Sequence, residues 1–277
     1  MVGEARKERI LITVKTYPTL SRTYGEAVCT AGVREDGTWV RIYPVPFRRL
    51  DEAEQYKKFD WLDCRLSRNT SDPRPESFRP VDENELQPVG HLFTDTNWRE
   101  RRRILLKTAR VYHRLAELIE GAKANQLSLG VFRPTRVTDF IWESEDREWN
   151  PDKLREMRAI KNQLDLFSDN AWRETFQVIP KLPYSFSYRF EDADGVKSEL
   201  QILDWEVGAL YWNCLRATSQ DESRALGKVR QKYMDEFART DLHFFLGTTQ
   251  QFHFVAPNPW VIIGVFPVPH ERQVELF

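Results

Sequence analysis

Two runs late in the chain, Leu242 to Leu246 (LHFFL) and Trp260 to Phe266 (WVIIGVF), are apolar at nearly every position. A strand with one wet face alternates apolar and polar residues, whereas a strand without alternation needs cover on both faces. Any fold for this chain therefore has to place a layer on each side of these two strands, and the remaining sequence must supply those layers.

The first half supplies short strands. Ile10 to Tyr17 (ILITVKTY) is a β-branched run stopped by Pro18, and Ala27 to Val33 and Thr38 to Tyr43 flank the turn Arg34-Glu35-Asp36-Gly37. Phe59 to Ser67 reads as a further strand, and Asn69 to Pro80 (NTSDPRPESFRP) as a proline-rich loop that leaves the sheet. This spacing predicts a small OB-like or SH3-like barrel. The period then changes. Ile104, Thr108, Val111, Leu115, Leu118 and Ala122 recur at helical steps and predict one long helix over 94–124.

Beyond it, Val137 to Trp142 reads as a strand, and Asn150-Pro151 as the joint between a first unit, 1–149, and a second, 150–277. The second unit shows a hairpin, Tyr184 to Phe190 and Ser198 to Asp204 around Asp192-Ala193-Asp194-Gly195. Two helices, Trp205 to Arg216 and Asp221 to Arg239, come before the two apolar strands. The fold class expected is α+β: a barrel with a basic helix, then a β-rich unit with a helix pair, itself a candidate second barrel.

Composition narrows the function classes. Hydrophobic residues at 41% and charged residues at 30% are ordinary for a folded domain, which argues against disorder and a membrane class. The charged opening and the short apolar run after it fit neither a signal peptide nor a spanning helix, so a cytoplasmic protein is expected. Cys29, Cys64 and Cys214 are odd in number and scattered, unlike a disulfide framework or zinc ligands. There is no HExxH, Gly-rich phosphate loop or G-x-S-x-G, so no cofactor is expected. Residues 1–115 hold 22 Lys and Arg against 17 Asp and Glu, a balance of +5, and the remainder 19 against 25, or −6. Nucleic-acid contact is therefore expected in the first half.

Three constellations there suit such contact. On a strand through Trp39-Val40-Arg41-Ile42-Tyr43, Trp39, Arg41 and Tyr43 share one face. An aromatic, guanidinium, aromatic row stacks bases and pairs phosphate; the same spacing also fits two core rings with Arg41 covering a barrel end. Arg99, Arg103, Lys107, Arg110 and Arg114 fall on one arc of the expected helix without interleaved acids, either a phosphate track or a solvated face. The proline-stiffened loop 68–79, with Arg74 and Arg79, can hold phosphate or be a plain surface loop.

The reading these support is a non-catalytic binder of single-stranded or structured DNA or RNA. A second class is a metal-dependent nuclease or related hydrolase, if Asp204, Glu206, His243 and His253 converge; against it, Asp204 suits a helix N-cap. A third is a protein-interaction subunit of a larger complex.

At VKTYP (Val14 to Pro18), VCTAG (Val28 to Gly32), DGTWVRIYPVPFR (Asp36 to Arg48) and DPRPESFR (Asp72 to Arg79) the sequence resembles bacterial proteins described as containing a dual OB-type domain. The resemblance covers the N-terminal half best. It implies two small β-barrels and nucleic-acid binding, in antiviral defence or mobile-element neighbourhoods.

Overall fold

The computed structural model describes residues 6–21, 25–45, 55–82, 85–152, 154–155 and 179–270. In the first unit the strands are β1 (Arg6–Lys15), β2 (Thr19–Ser21), β3 (Gly25–Val33), β4 (Trp39–Val45), β5 (Asp60–Arg68), β6 (Ser77–Pro80) and β7 (Gln87–His91). Five of them close a ring in the order β1-β3-β4-β6-β5-β1, with β4 and β6 parallel, which makes an OB-like barrel. Alternation fills it: Ile10, Ile12, Val28, Val40, Ile42, Leu62, Cys64 and Leu66 point inward around Tyr56 and Leu86. The β3–β4 turn depends on Gly37, whose φ of +82° favours glycine and whose missing Cβ would lie 2.7 Å from the Thr108 carbonyl.

The second unit is a sheet of β8 (Val111–Tyr112), β9 (Leu129–Phe132), β10 (Arg136–Ser144), β11 (Tyr184–Glu191), β12 (Lys197–Ile202), β13 (Asp241–Thr248) and β14 (Trp260–Val268). Their order is β10-β11-β12-β14-β13-β9-β8. Among the described residues β10 and β8 do not pair, so the sheet is open and the expected second barrel is not formed.

On one face lie α2 (Leu115–Lys123), α3 (Trp205–Ala217) and α4 (Glu222–Arg230) with the π-type turn over 231–236 that continues it, packed through Tyr211 of α3 and Tyr233 of that turn onto Phe140, Phe186, Tyr188 and Phe244. The other face meets the outside of the barrel. Leu129, Val131, Phe245, Ile263 and Phe266 interlock with Leu11, Val14, Ala31 and Val33 in one buried cluster. The double cover demanded by β13 and β14 is thus met by helices on one side and the barrel on the other.

Three expectations are corrected. The long helix is two: α1 (Asp95–Arg102) widens into a π-type turn over 103–108, Ala109 is extended, and Val111 and Tyr112 leave as β8 to pair with β9. The stripe looked continuous because both ends are apolar, but Ile104 and Leu105 pack against the barrel while Leu115 and Leu118 pack in the second core. The joint accordingly falls before β8 rather than at Asn150-Pro151, since β8, β9 and β10 all belong to the second sheet. Finally, Ser77 to Pro80 of the expected loop is strand β6, which completes the barrel.

Candidate functional site

Alternation along β4 holds, with Val40 and Ile42 in the barrel and Trp39 and Arg41 outside it, but the outer face is not exposed. An OB barrel presents its second and third strands to oligonucleotides; here those strands are β3 and β4, and β9 and β13 lie across β4. Trp39 is half-buried, edge-on to Phe245 with ring centroids 5.8 Å apart. Arg41 is only 2% exposed. Its Nη1 donates to Ser128 Oγ (2.7 Å) and Ser77 Oγ (3.3 Å), and its Nη2 to the carbonyls of Ser128 (3.0 Å) and Thr248 (3.3 Å). Burial, with the neighbouring charge of Arg74, lowers the Arg41 pKa to about 10. Tyr43 is half-buried.

Arg74 is buried as well. It forks onto Asp72 (Nε–Oδ1 2.8 Å, Nη2–Oδ2 2.6 Å) and donates to the Thr248 carbonyl. Burial alone would push Asp72 up; hydrogen bonds from Arg74 and Ser77 outweigh it and hold the carboxyl at about 2. The expected exposed row and loop are thus corrected for Arg41 and Arg74, whose donors are consumed between the two units. Arg79 remains exposed on β6.

The five cations of the expected arc stay outside despite the broken helix: Arg99, Arg103, Lys107, Arg110 and Arg114 are all exposed, while Arg101 and Arg102 between them are buried. Acids do intervene, contrary to the sequence reading. Arg103 pairs with Glu100 and Arg110 with Glu117, both at 2.8 Å, and Arg114 reaches Asp194 at 2.8 Å and Glu117 at 3.6 Å. These are open surface pairs, which hold little free energy and yield readily to a competing anion.

The proposed hydrolase set does not converge. Asp204 accepts from the Glu206 amide (3.2 Å) as the N-cap of α3, and from the Val265 amide (3.2 Å). His243 is buried on β13 with Nδ1 2.9 Å from the Asp241 carbonyl. His253 sits elsewhere, between Thr248 Oγ1 (2.8 Å) and Asn125 Oδ1 (3.1 Å). No group of three or more His, Cys, Asp or Glu among the described residues can hold a metal ion.

A different cluster, which the motif reading missed, forms around Lys58-Phe59-Asp60. Lys58 is buried and bridges Asp204 (3.0 Å) and Glu206 (2.8 Å). Burial works against its ammonium, but the two carboxylates outweigh it and raise its pKa, while burial pushes Asp204 up. Asp60 holds His91 Nδ1 at 2.6 Å, and the next residue over, Phe59, carries Arg101 on its ring face at 3.7 Å. Phe59 has φ of +68°, a strained conformation for a bulky side chain. Neither a spacing nor a composition signal marks these residues, because they come from the β5 entrance, the end of β7, α1 and the start of α3.

Comparison with known families divides the chain where the sheets do. A domain of unknown function (DUF8758) matches residues 6–107, and a domain of unknown function (DUF8757) matches residues 111–277. The chain belongs to the DUF8757 family. The DUF8757 portion begins at β8 and contains the whole open sheet with α2, α3 and α4, and the DUF8758 portion is the barrel with α1. No curated protein matches the chain.

Proposed function

We propose that the protein is a non-catalytic nucleic-acid binder whose contact surface is the basic edge of 99–114. The observation that supports this is the exposure of Arg99, Arg103, Lys107, Arg110 and Arg114 in sequence along α1, the π-type turn and the approach to α2, on a chain whose net charge is −1. Cations gathered on one edge of a near-neutral protein serve a local anionic partner better than they serve solubility. The OB-like strand face contributes to this function indirectly, since its area is used to join the two units. Action in a cytoplasmic bacterial defence or mobile-element system, alone or in a larger complex, fits the same reading and is supported by the dual-OB resemblance. No helix among the described residues is long and apolar enough to cross a membrane.

The test is fluorescence anisotropy with labelled single-stranded and hairpin DNA and RNA over a salt series. Affinity should fall steeply as salt rises, and the triple variant R99E/R103E/K107E should abolish binding while circular dichroism stays unchanged. Equal affinity in that variant would sink the proposal.

A further inference from the structure

A guanidinium taken out of water needs an acceptor, and most buried cations find a carboxylate. Lys58 has Asp204 and Glu206, and Arg74 has Asp72. Arg41 has no carboxylate either, but four hydrogen bonds to hydroxyl and carbonyl oxygens satisfy it; Arg101 has neither a carboxylate nor such a set of acceptors. It is 6% exposed, and no carboxylate among the described residues lies within 4 Å of it. Its Nε donates to the Leu92 carbonyl (2.8 Å), its plane lies over the rings of Phe59 (3.7 Å) and Trp98 (5.1 Å), and its Nη2 meets His91 Nε2 at 3.4 Å. Burial lowers its pKa to about 10, with only the field of Glu206 opposing.

The imidazole beside it is set to match. The Asp60 carboxylate accepts from Nδ1, so the proton sits there and Nε2 turns a lone pair toward Arg101. His91 is partly exposed, and Phe93, two residues on, is 66% exposed with its ring edge-on to His91 at 4.7 Å. The strained Phe59 backbone between Lys58 and Asp60 holds the ring on which Arg101 rests. Strain and an unpaired buried charge are costs that a ligand site retains and a purely structural one sheds.

We infer that Arg101 and His91 form a phosphate-binding site for a nucleotide, with the phosphate meeting the guanidinium and imidazole and the base lying against Phe93. A phosphate oxyanion supplies the missing counter-charge and accepts from the guanidinium beside the His91 ring. Around it, Lys58 is neutralised by Asp204 and Glu206, Asp60 is occupied by His91, and Lys15 adds a positive field near Glu206. The site lies on the side of α1 away from the exposed Arg99 and Arg103, so it is separate from the basic edge and stands without it.

The full chain is titrated with adenosine 5′-monophosphate, inorganic phosphate and adenosine, following the melting temperature and the heat of binding. The nucleotide should raise the melting temperature in a concentration-dependent way, phosphate more weakly, and adenosine not at all. Arg101→Met, checked for folding by circular dichroism, should weaken nucleotide binding by roughly 10- to 100-fold. His91→Gln, at a partly exposed position, repeats the ligand test without disturbing the buried ring stack. Oligonucleotides with a 5′-phosphate or a 5′-hydroxyl tell a chain end from a free nucleotide: preference for the phosphorylated end identifies the chain terminus as the source. In R99E/R103E/K107E the nucleotide shift should persist even as polynucleotide binding is lost. An absent shift in the parent, an equal response to adenosine, or a full response in both Arg101→Met and His91→Gln would each overturn the site.

Discussion

Arg41 of the barrel and Ser128 of the second unit are bonded twice, Nη1 to Oγ at 2.7 Å and Nη2 to the carbonyl at 3.0 Å. The residue that looked most suited to a phosphate is a clasp. Replacing Arg41 by Met removes four hydrogen bonds that join the units and should cost about 1–3 kcal/mol, the carbonyls of Ser128 and Thr248 keeping the Thr248 amide and Arg74 as donors. Because the two units share one apolar cluster, urea unfolding of the parent should show a single transition by both fluorescence and circular dichroism; two separated transitions would contradict the shared core.

Trp39 gives a sharper contrast. With its ring against Phe245 inside the joint, Trp39→Ala removes packed apolar area and should cost about 3 kcal/mol of folding free energy. Nucleic-acid affinity per folded molecule should not change. A loss of affinity with unaltered stability would return Trp39 to a stacking role.

Asp72 is held at about 2 in the folded chain, below the ordinary carboxylate value, so it favours the folded state above the unfolded pKa of about 3.9. That contribution is lost as pH falls from about 4 toward 2. Asp72→Asn leaves Arg74 buried without its counter-ion and should cost about 3–5 kcal/mol at neutral pH, read from urea midpoints.

His243 and His253 both have lowered pKa values, chiefly from burial, with Arg74 and Arg41 adding for His253 and Asp241 opposing for His243. The unfolded chain therefore takes up their protons first as pH falls. Their contribution is complete above about pH 6.5 and declines as pH drops through the region below it. Melting temperatures should fall between about pH 7 and pH 5, and His253→Gln, which keeps a polar partner for Thr248, should flatten part of that slope. An unchanged profile would mean that His253 is not held neutral.

Local patterns were legible where a single element decides them. Alternation along β4 put Val40 and Ile42 on one face and Trp39 and Arg41 on the other, and the unbroken apolar runs of β13 and β14 required a layer on each side. Asp204 before Trp205 is the N-cap its position suggested. What failed depends on partners. The stripe from Ile104 to Ala122 has helical spacing, yet its two ends belong to different cores, and only the pairing of β8 with β9 shows where the helix stops. Arg41 lies outside the barrel, one of the two placements its spacing allowed, but outer is not exposed when a second unit lies across it. The Arg101 and His91 pair is invisible to motif reading for the same reason, since its supports come from four separate stretches of chain.

The shared cluster between barrel and sheet also sets an order of events during synthesis. The barrel strands β1 to β6 leave the ribosome long before Phe245, Ile263 and Phe266, the side chains that cover their outer face. A nascent barrel can close on its own core, but it must carry Leu11, Val14, Ala31 and Val33 uncovered while more than half of the chain is still being made. During that interval the greasy flank is an attachment point for chaperones and a hazard for aggregation. Slow translation between α2 and β13 would lengthen that exposure.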